Sequence, residues 1–271
     1  MFAQILKTIM LGVFFSFLMI GTASADSLQM ELLKAADKKA SGEYVRKRFL
    51  ALMKKPFDSS IKKKALIIGD SHAQDFVNVV FENGYLKNYQ ISTRGIPTRC
   101  QPSLGVDATQ FIDKKDQNFC AKADSLEKAK EQINKANLII LVANWKEWSA
   151  KALPKTIANL KLKPQQKLLV VGRKSFGKVS VRSYLRKSET ELRNLKNPVD
   201  KDQKKINNIL KTSLSKEVFI DLQQLVCGSA SSCRVFTSDL KLISFDGGHL
   251  TQYGASYVGS ILFKKSQLAD L

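Results

Sequence analysis

The stretch "ALIIGDSHAQ", residues 65–74, decides how the rest of the chain is read. Four apolar residues in a row, Ala65 to Ile68, suit a strand buried on both faces, and Gly69-Asp70 then breaks the run. Ser71 follows the break, and "AQDFVNVVFENG" continues as a helix stopped by Gly84. A strand-to-helix turn holds a side chain out over the end of a sheet, with backbone N–H groups beside it. Ser71 is therefore either the cap of that helix or a nucleophile, and the rest of the chain has to separate the two.

Outward from this point the same alternation recurs. "YQISTRG" (89–95), "NLIILVANW" (137–145), "KLLVVGR" (167–173) and "EVFIDL" (217–222) read as four further strands. Between and around them lie helical stretches at 121–136, 146–161, 181–214 (broken at Asn197-Pro198) and 250–265, with a basic helix over 26–56. Residues 96–120 read as a long loop held by cysteines. Continuous apolar strands separated by helices mean a parallel sheet covered on both faces, hence one α/β domain with an extra N-terminal helix. No repeat, heptad array or low-complexity linker marks a second domain.

The first residues, "MFAQILKTIMLGVFFSFLMIGTASADS", combine Lys7, an apolar run from about Ile9 to Ile20 and the small residues Ala23-Ser24-Ala25. That order predicts a secretory signal peptide over 1–25, cleaved after Ala25, and a periplasmic or secreted protein. The run is shorter than the ~20 residues a membrane span prefers. A basic helical segment over 26–60 and the α/β domain over 61–271 would follow. No cysteine precedes Cys100, so lipid attachment at the new N-terminus is not expected. The chain carries a formal net charge of +20, nearly all of it outside the leader. Such a charge speaks about partners, here anionic polymers of the cell envelope, and not about fold. The lysines are spread over most helices without interleaved aromatics, so nucleic acid is not expected as a partner.

The four cysteines are Cys100, Cys120, Cys227 and Cys233. An even count in an exported chain suggests disulfides, and proximity favours Cys100–Cys120 and Cys227–Cys233 among the three pairings. Zinc is the weaker reading, because C-x5-C is a poor ligand spacing and the chain has only two histidines. No metal or cofactor is called for.

Function in open parallel sheets gathers at the carboxyl ends of the strands, where Ser71, Gly95 and Asn144 each follow a strand. A serine hydroxyl needs a base to take its proton, and the base works best when a carboxylate fixes its tautomer. His72 adjoins the serine on a tight turn and points elsewhere, which suits a structural or substrate-contact role. His249 comes from the other end of the chain in "SFDGGHLTQYGASYVG", with Asp246 three residues before it. Asp246 can reach the ring through the Gly247-Gly248 turn, and Thr251 can cap the following helix.

"IIGDSH" near the start of the mature chain and "DGGHLT" near its end together resemble the SGNH (GDSL-type) hydrolase superfamily. The resemblance is closest to the SGNH domains associated with bacterial O-antigen and cell-wall acyltransferases, and "CGSASSC" before the histidine block fits it too. It implies a three-layer, flavodoxin-like sheet, with Ser71 as nucleophile, His249 as base and Asp246 as its orienting acid. The oxyanion hole would be built from Ser71, Gly95 and Asn144. One block departs from the pattern: the family's G-x-N-D is replaced by "VANW" around Asn144.

Two other motifs lose on their residues. Gly69–Ala73 imitates the G-x-S-x-G elbow of α/β-hydrolases, which place the serine mid-chain and the acid far from the histidine. "GRKSFGKVS" (172–180) imitates a phosphate loop, but Val179 stands where a hydroxyl must hold magnesium. Trp145 and Trp148 could stack on sugars or belong to the core. The functional expectation is an exported serine esterase that removes O-acyl groups, foremost O-acetyl, from a carbohydrate. An O-acyltransferase with the same triad, served by a membrane protein that supplies the acyl donor, and a non-catalytic envelope-binding module are the alternatives.

Overall fold

The computed structural model describes residues 28–61, 63–228 and 231–271. The expected signal peptide and cleavage site, residues 1–25, lie outside the described residues. Five strands form the central sheet: β1 (Lys64–Gly69), β2 (Gln90–Gly95), β3 (Leu138–Val142), β4 (Lys167–Val171) and a two-residue β6 (Phe219–Ile220). They are all parallel, in the order β2-β1-β3-β4-β6. A separate antiparallel pair joins β5 (Lys196–Pro198) to β7 (Ser232–Arg234).

Successive strand residues feed opposite faces. Ala65 and Ile67 of β1, Leu138, Ile140 and Val142 of β3, and Leu169 and Val171 of β4 pack with α3 (Ser71–Glu82) and α11 (Gln252–Lys265). Leu66 and Ile68, Ile139 and Leu141, and Leu168 and Val170 pack on the other face with α5 (Leu126–Lys135), α6 (Glu147–Leu160) and α9 (Lys201–Ser213). Strands apolar on both sides require this three-layer arrangement, and it is the flavodoxin-like order. The chain reverses direction across the sheet between β1 and β3, so the carboxyl ends of these two strands flank the crevice where ligands bind in such sheets.

Several elements differ from the sequence expectation. The N-terminal helix is two pieces, α1 over 28–35 and α2 (Lys38–Ala51), because Asp37 caps α2 by accepting from the N–H groups of Lys39 and Ala40 at 2.8 and 3.1 Å. α4 (Lys114–Lys122) occupies the end of the expected long loop. The stretch 181–214 is only partly helical. α7 (Val181–Tyr184) and α8 (Glu189–Asn194) are short, and Asn197-Pro198 lie in β5 at the edge of its ribbon, where a proline's missing N–H costs no ladder bond. α10 (Leu222–Cys227) leads into the second disulfide. The bonds are Cys100–Cys120 and Cys227–Cys233.

Helix α2 packs on α3. The buried Asn78 donates its amide hydrogens to the backbone oxygens of Tyr44 and Val45, both at 3.1 Å, and Arg48 pairs with Glu82 at 2.5 Å. Among the described residues no helix is long and apolar enough to cross a membrane. The two disulfides suggest an extracytoplasmic domain.

Candidate functional site

Strand β1 ends at Gly69, and glycine is required there: a Cβ would sit 1.7 Å from the Val142 carbonyl oxygen of the neighbouring strand. That closeness lets the chain turn sharply into α3. Asp70 caps the helix, accepting from the His72 N–H at 2.9 Å, and Ser71 becomes its first residue. The hydroxyl of Ser71 therefore stands at the carboxyl edge of the sheet.

At the far end of the chain, residues 244–250 form a tight loop closed by a bridge between Ser244 and Leu250. Asp246 Oδ1 accepts from the N–H groups of Gly248 (2.9 Å) and His249 (2.7 Å), and Asp246 Oδ2 lies 2.7 Å from His249 Nδ1. Burial alone would raise the Asp246 carboxyl, but the His249 ring and these backbone N–H groups outweigh it and hold it down at about 2. The carboxylate is thus ionised at any ordinary pH and fixes a hydrogen on Nδ1, which leaves Nε2 as the basic nitrogen. Gly247, at φ +93°, permits the turn, and a Cβ there would meet the Gly177 oxygen at 2.0 Å.

Ser71, Asp246 and His249 line one cavity of about 370 Å³, together with Gln74, Phe245 and residues of α2. Hydroxyl, imidazole and carboxylate from opposite ends of the chain thus share one space. Asn144 faces an adjoining cavity of about 440 Å³, lined also by His72, Arg173, Lys178 and Asp246. Gly95 ends β2 in register with Gly69 and lines neither of these cavities; its nearest side chains are Phe49 of α2 and Met53 just beyond that helix. The structure therefore gathers Ser71, His249 and Asp246, sets Asn144 next door and leaves Gly95 behind them. Cys100–Cys120 braces the loop after β2, and Cys227–Cys233 lies by the β5–β7 ribbon; neither contributes to these cavity walls.

Four side chains that sequence reasoning passed over hold this arrangement. Asp70 accepts from the Thr98 hydroxyl (2.8 Å) and from the Asn144 N–H (2.9 Å), so one buried carboxylate joins the turns after β1, β2 and β3. Burial pushes its carboxyl upward against those hydrogen bonds. Gln101, buried beside Cys100, donates to the Asn144 carbonyl (3.2 Å) and accepts from the Lys146 N–H (2.8 Å) and Ser149 hydroxyl (2.9 Å). Asp75, one turn into α3, is fully buried and pairs with the buried Lys174 at 2.6 Å. Asp75 also accepts the Leu250 N–H at 3.1 Å, while Lys174 donates to the Gly248 carbonyl, so the pair grips the residues on both sides of His249. One signal was available: Asp75 is a carboxylate set directly beside the apolar residues Ala73, Phe76 and Val77 of a largely buried helix.

The segment 172–180, which imitates a phosphate loop, is instead the support of the histidine loop, through Lys174 and through the Phe176 N–H on the Gly247 carbonyl at 2.8 Å. His72 is buried, and burial first, then the charges of Lys174, His249 and Arg173, depress its pKa well below the ordinary value, so the ring is neutral. Trp145 is fully buried with its N–H on the Val171 carbonyl at 2.9 Å, which makes it core and no sugar platform. Trp148 stacks on Phe111 with centroids 5.2 Å apart. Among the described residues no group of three His, Cys, Asp or Glu side chains could hold a metal ion.

Compared with known families, residues 36–264 match the SGNH domain described as fused to AT3 domains. The match runs from just before α2 to the end of α11 and so includes every residue of the site. No curated protein matches the chain significantly.

Proposed function

Because this chain belongs to the SGNH domains of the kind fused to AT3 acyltransferase domains, a typically hydrolytic family, we propose that it is a serine esterase. It acts on O-acyl groups, foremost O-acetyl, of a carbohydrate outside the cytoplasm. The observation that carries this reading is the single cavity lined by Ser71 and by a His249 whose Nδ1 is held at 2.7 Å by an ionised Asp246.

The steps follow from those groups. Ser71 Oγ attacks the ester carbonyl carbon as its proton passes to His249 Nε2. The tetrahedral adduct collapses, the C–O bond to the sugar breaks, and the imidazolium returns the proton to the departing sugar oxygen. A water molecule then attacks the acyl-serine while His249 takes its proton, and the acid is released with Ser71 restored. The oxyanion is assigned to N–H donors at the turn of Ser71 and to the Asn144 amide, a reading supported by the fact that Asn144 lines a cavity that Asp246 also borders. The leader directs the chain to the periplasm or outside the cell, and an anionic envelope polymer is the partner its charge suits.

The fused partner of the family favours one second reading, in which a sugar hydroxyl replaces water as acceptor and a membrane protein supplies the acyl group. The test is hydrolysis of p-nitrophenyl acetate by the protein from residue 26 onward, wild type against Ser71→Ala, with and without an added oligosaccharide acceptor. Activity that vanishes in the variant supports the triad, and acylated sugar in place of free acetate selects transfer. Equal inertness of two folded proteins toward ester and acceptor overturns both readings in favour of a binding module.

A further inference from the structure

The cavity that holds Ser71 and His249 has a wall that the triad does not use. Lys38, Gly42, Val45 and Arg46 of α2 line it opposite Gln74 and Phe245. Lys38 and Arg46 are exposed, and neither has a carboxylate within 4 Å or a side-chain hydrogen bond among the described residues. Their neighbour Arg48, by contrast, is committed to Glu82 at 2.5 Å. Among the described residues that line the cavity, Asp246 is the one acid, and His249 and two backbone N–H groups already occupy it. The cavity thus presents two uncompensated cations.

These charges are not on a loose arm. Asn78 fixes the α2 backbone at Tyr44 and Val45, immediately before Arg46, to the same helix that begins with Ser71. Gly42, also on the cavity wall, is a poorer choice for a helix interior than alanine. Its missing side chain leaves space beside the Arg46 guanidinium, 3.7 Å from where a Cβ would be.

We propose that Lys38 and Arg46 form an anion subsite of the Ser71 cavity, so that the ester substrate carries a carboxylate or phosphate close to its acylated hydroxyl. This rests on the esterase reading and sharpens it, since it moves the attraction for polyanions from the whole +20 surface to two named residues. Cations at a cleft wall raise the local concentration of an anionic substrate and orient it before chemistry, so the effect belongs in KM and fades with salt. A neutral ester gains nothing from them.

The experiment compares acetate release from acetylated oligogalacturonate, acetylated glucose 6-phosphate and acetylated xylo-oligosaccharide by wild type, Lys38→Glu/Arg46→Glu and Lys264→Glu, the last an exposed charge reversal on α11 away from this cavity. The expected result is a KM on the acidic esters that rises about tenfold or more in the double variant, equivalent to ~1.4 kcal/mol, and collapses toward the neutral value in high salt. The rate on xylo-oligosaccharide and p-nitrophenyl acetate stays unchanged, and the acidic ester that shows the larger rise tells carboxylate from phosphate. Equal losses on neutral and acidic esters, or an equal loss in Lys264→Glu, would overturn the subsite. If no ester is turned over, calorimetric binding of unacylated trigalacturonate and glucose 6-phosphate decides separately. Binding that the double variant abolishes keeps the subsite while the esterase reading falls, and no binding of either ligand removes it.

Discussion

The two walls of the site are built on different terms. On the Ser71–His249 side, each group of the proposed triad comes from a short contiguous block, Gly69–Ser71 or Asp246–His249, and most bonds that shape it span three residues or fewer. On the Asn144 side, position is set by bonds across long stretches of chain: Asp70 to Asn144 over 74 residues and Gln101 to Asn144 over 43. The contrast teaches where function can be read locally and where it depends on loops from several strands meeting. It also locates the exception, since His249 is shaped by its own turn but aimed at α3 by Asp75 and Lys174, 99 residues apart.

The largest expected effect strikes the local side. Ser71→Ala should lower p-nitrophenyl acetate hydrolysis by ~10⁴-fold or more, and His249→Ala by a similar factor, without lowering the melting temperature. A Ser71→Ala variant of undiminished rate would end the comparison, because the local block would then hold no chemistry.

The Asp75–Lys174 pair tests whether the histidine loop needs long-range support. Lys174→Met leaves a buried carboxylate without its cation and should cost about 3–5 kcal/mol in chemical denaturation. Asp75→Asn/Lys174→Met removes both charges and should restore most of that stability while the rate stays reduced, since the Gly248 carbonyl has lost its donor. Full recovery of rate would show the loop to be self-sufficient.

Asn144→Ala addresses the other wall. A donor to the oxyanion is worth about 10²–10³-fold in kcat, with KM little changed. A change below twofold would assign the oxyanion to backbone N–H groups alone.

The smallest effect is on pH dependence. His72 has a folded pKa below its unfolded one, so the unfolded chain binds the extra proton and acid favours unfolding. Its contribution to stability is therefore intact above about pH 6.5 and is lost as pH falls below that value, with a slope of at most ~1.4 kcal/mol per pH unit. Between pH 7.5 and 5 the melting temperature of His72→Gln should fall less than that of the wild type; parallel curves would show that the ring is not buried as described. Asp246 acts at the other extreme. Its stabilisation is complete above the ordinary carboxylate pKa and disappears only as pH falls toward about 2.

Much of the architecture was legible because the strands are uninterrupted apolar runs. Ala65–Ile68, Leu138–Val142 and Leu168–Val171 admit no solvated face, so a parallel sheet with helices on both sides is the available solution. The short elements were not legible. β6 is two residues long, and the Asn197-Pro198 strand exists only because Ser232 and Cys233 lie alongside it. The break at Asp37 was missed because a single capping residue inside a lysine-rich stretch carries little pattern of its own.

The class of fold could be read from its repeated apolar runs, and the serine turn and the Asp–His loop from residues within one or two turns of chain. It took the packed chain to show that the phosphate-loop mimic at 172–180 buttresses His249, that Trp145 is core, that His72 is sealed and neutral, and that Lys38 and Arg46 line the Ser71 cavity. The reason is physical. A buried lysine is tolerated only where a carboxylate from elsewhere meets it, and an exposed cation acquires meaning only from the cavity it borders. Neither partner is adjacent in sequence, so neither role could be read there.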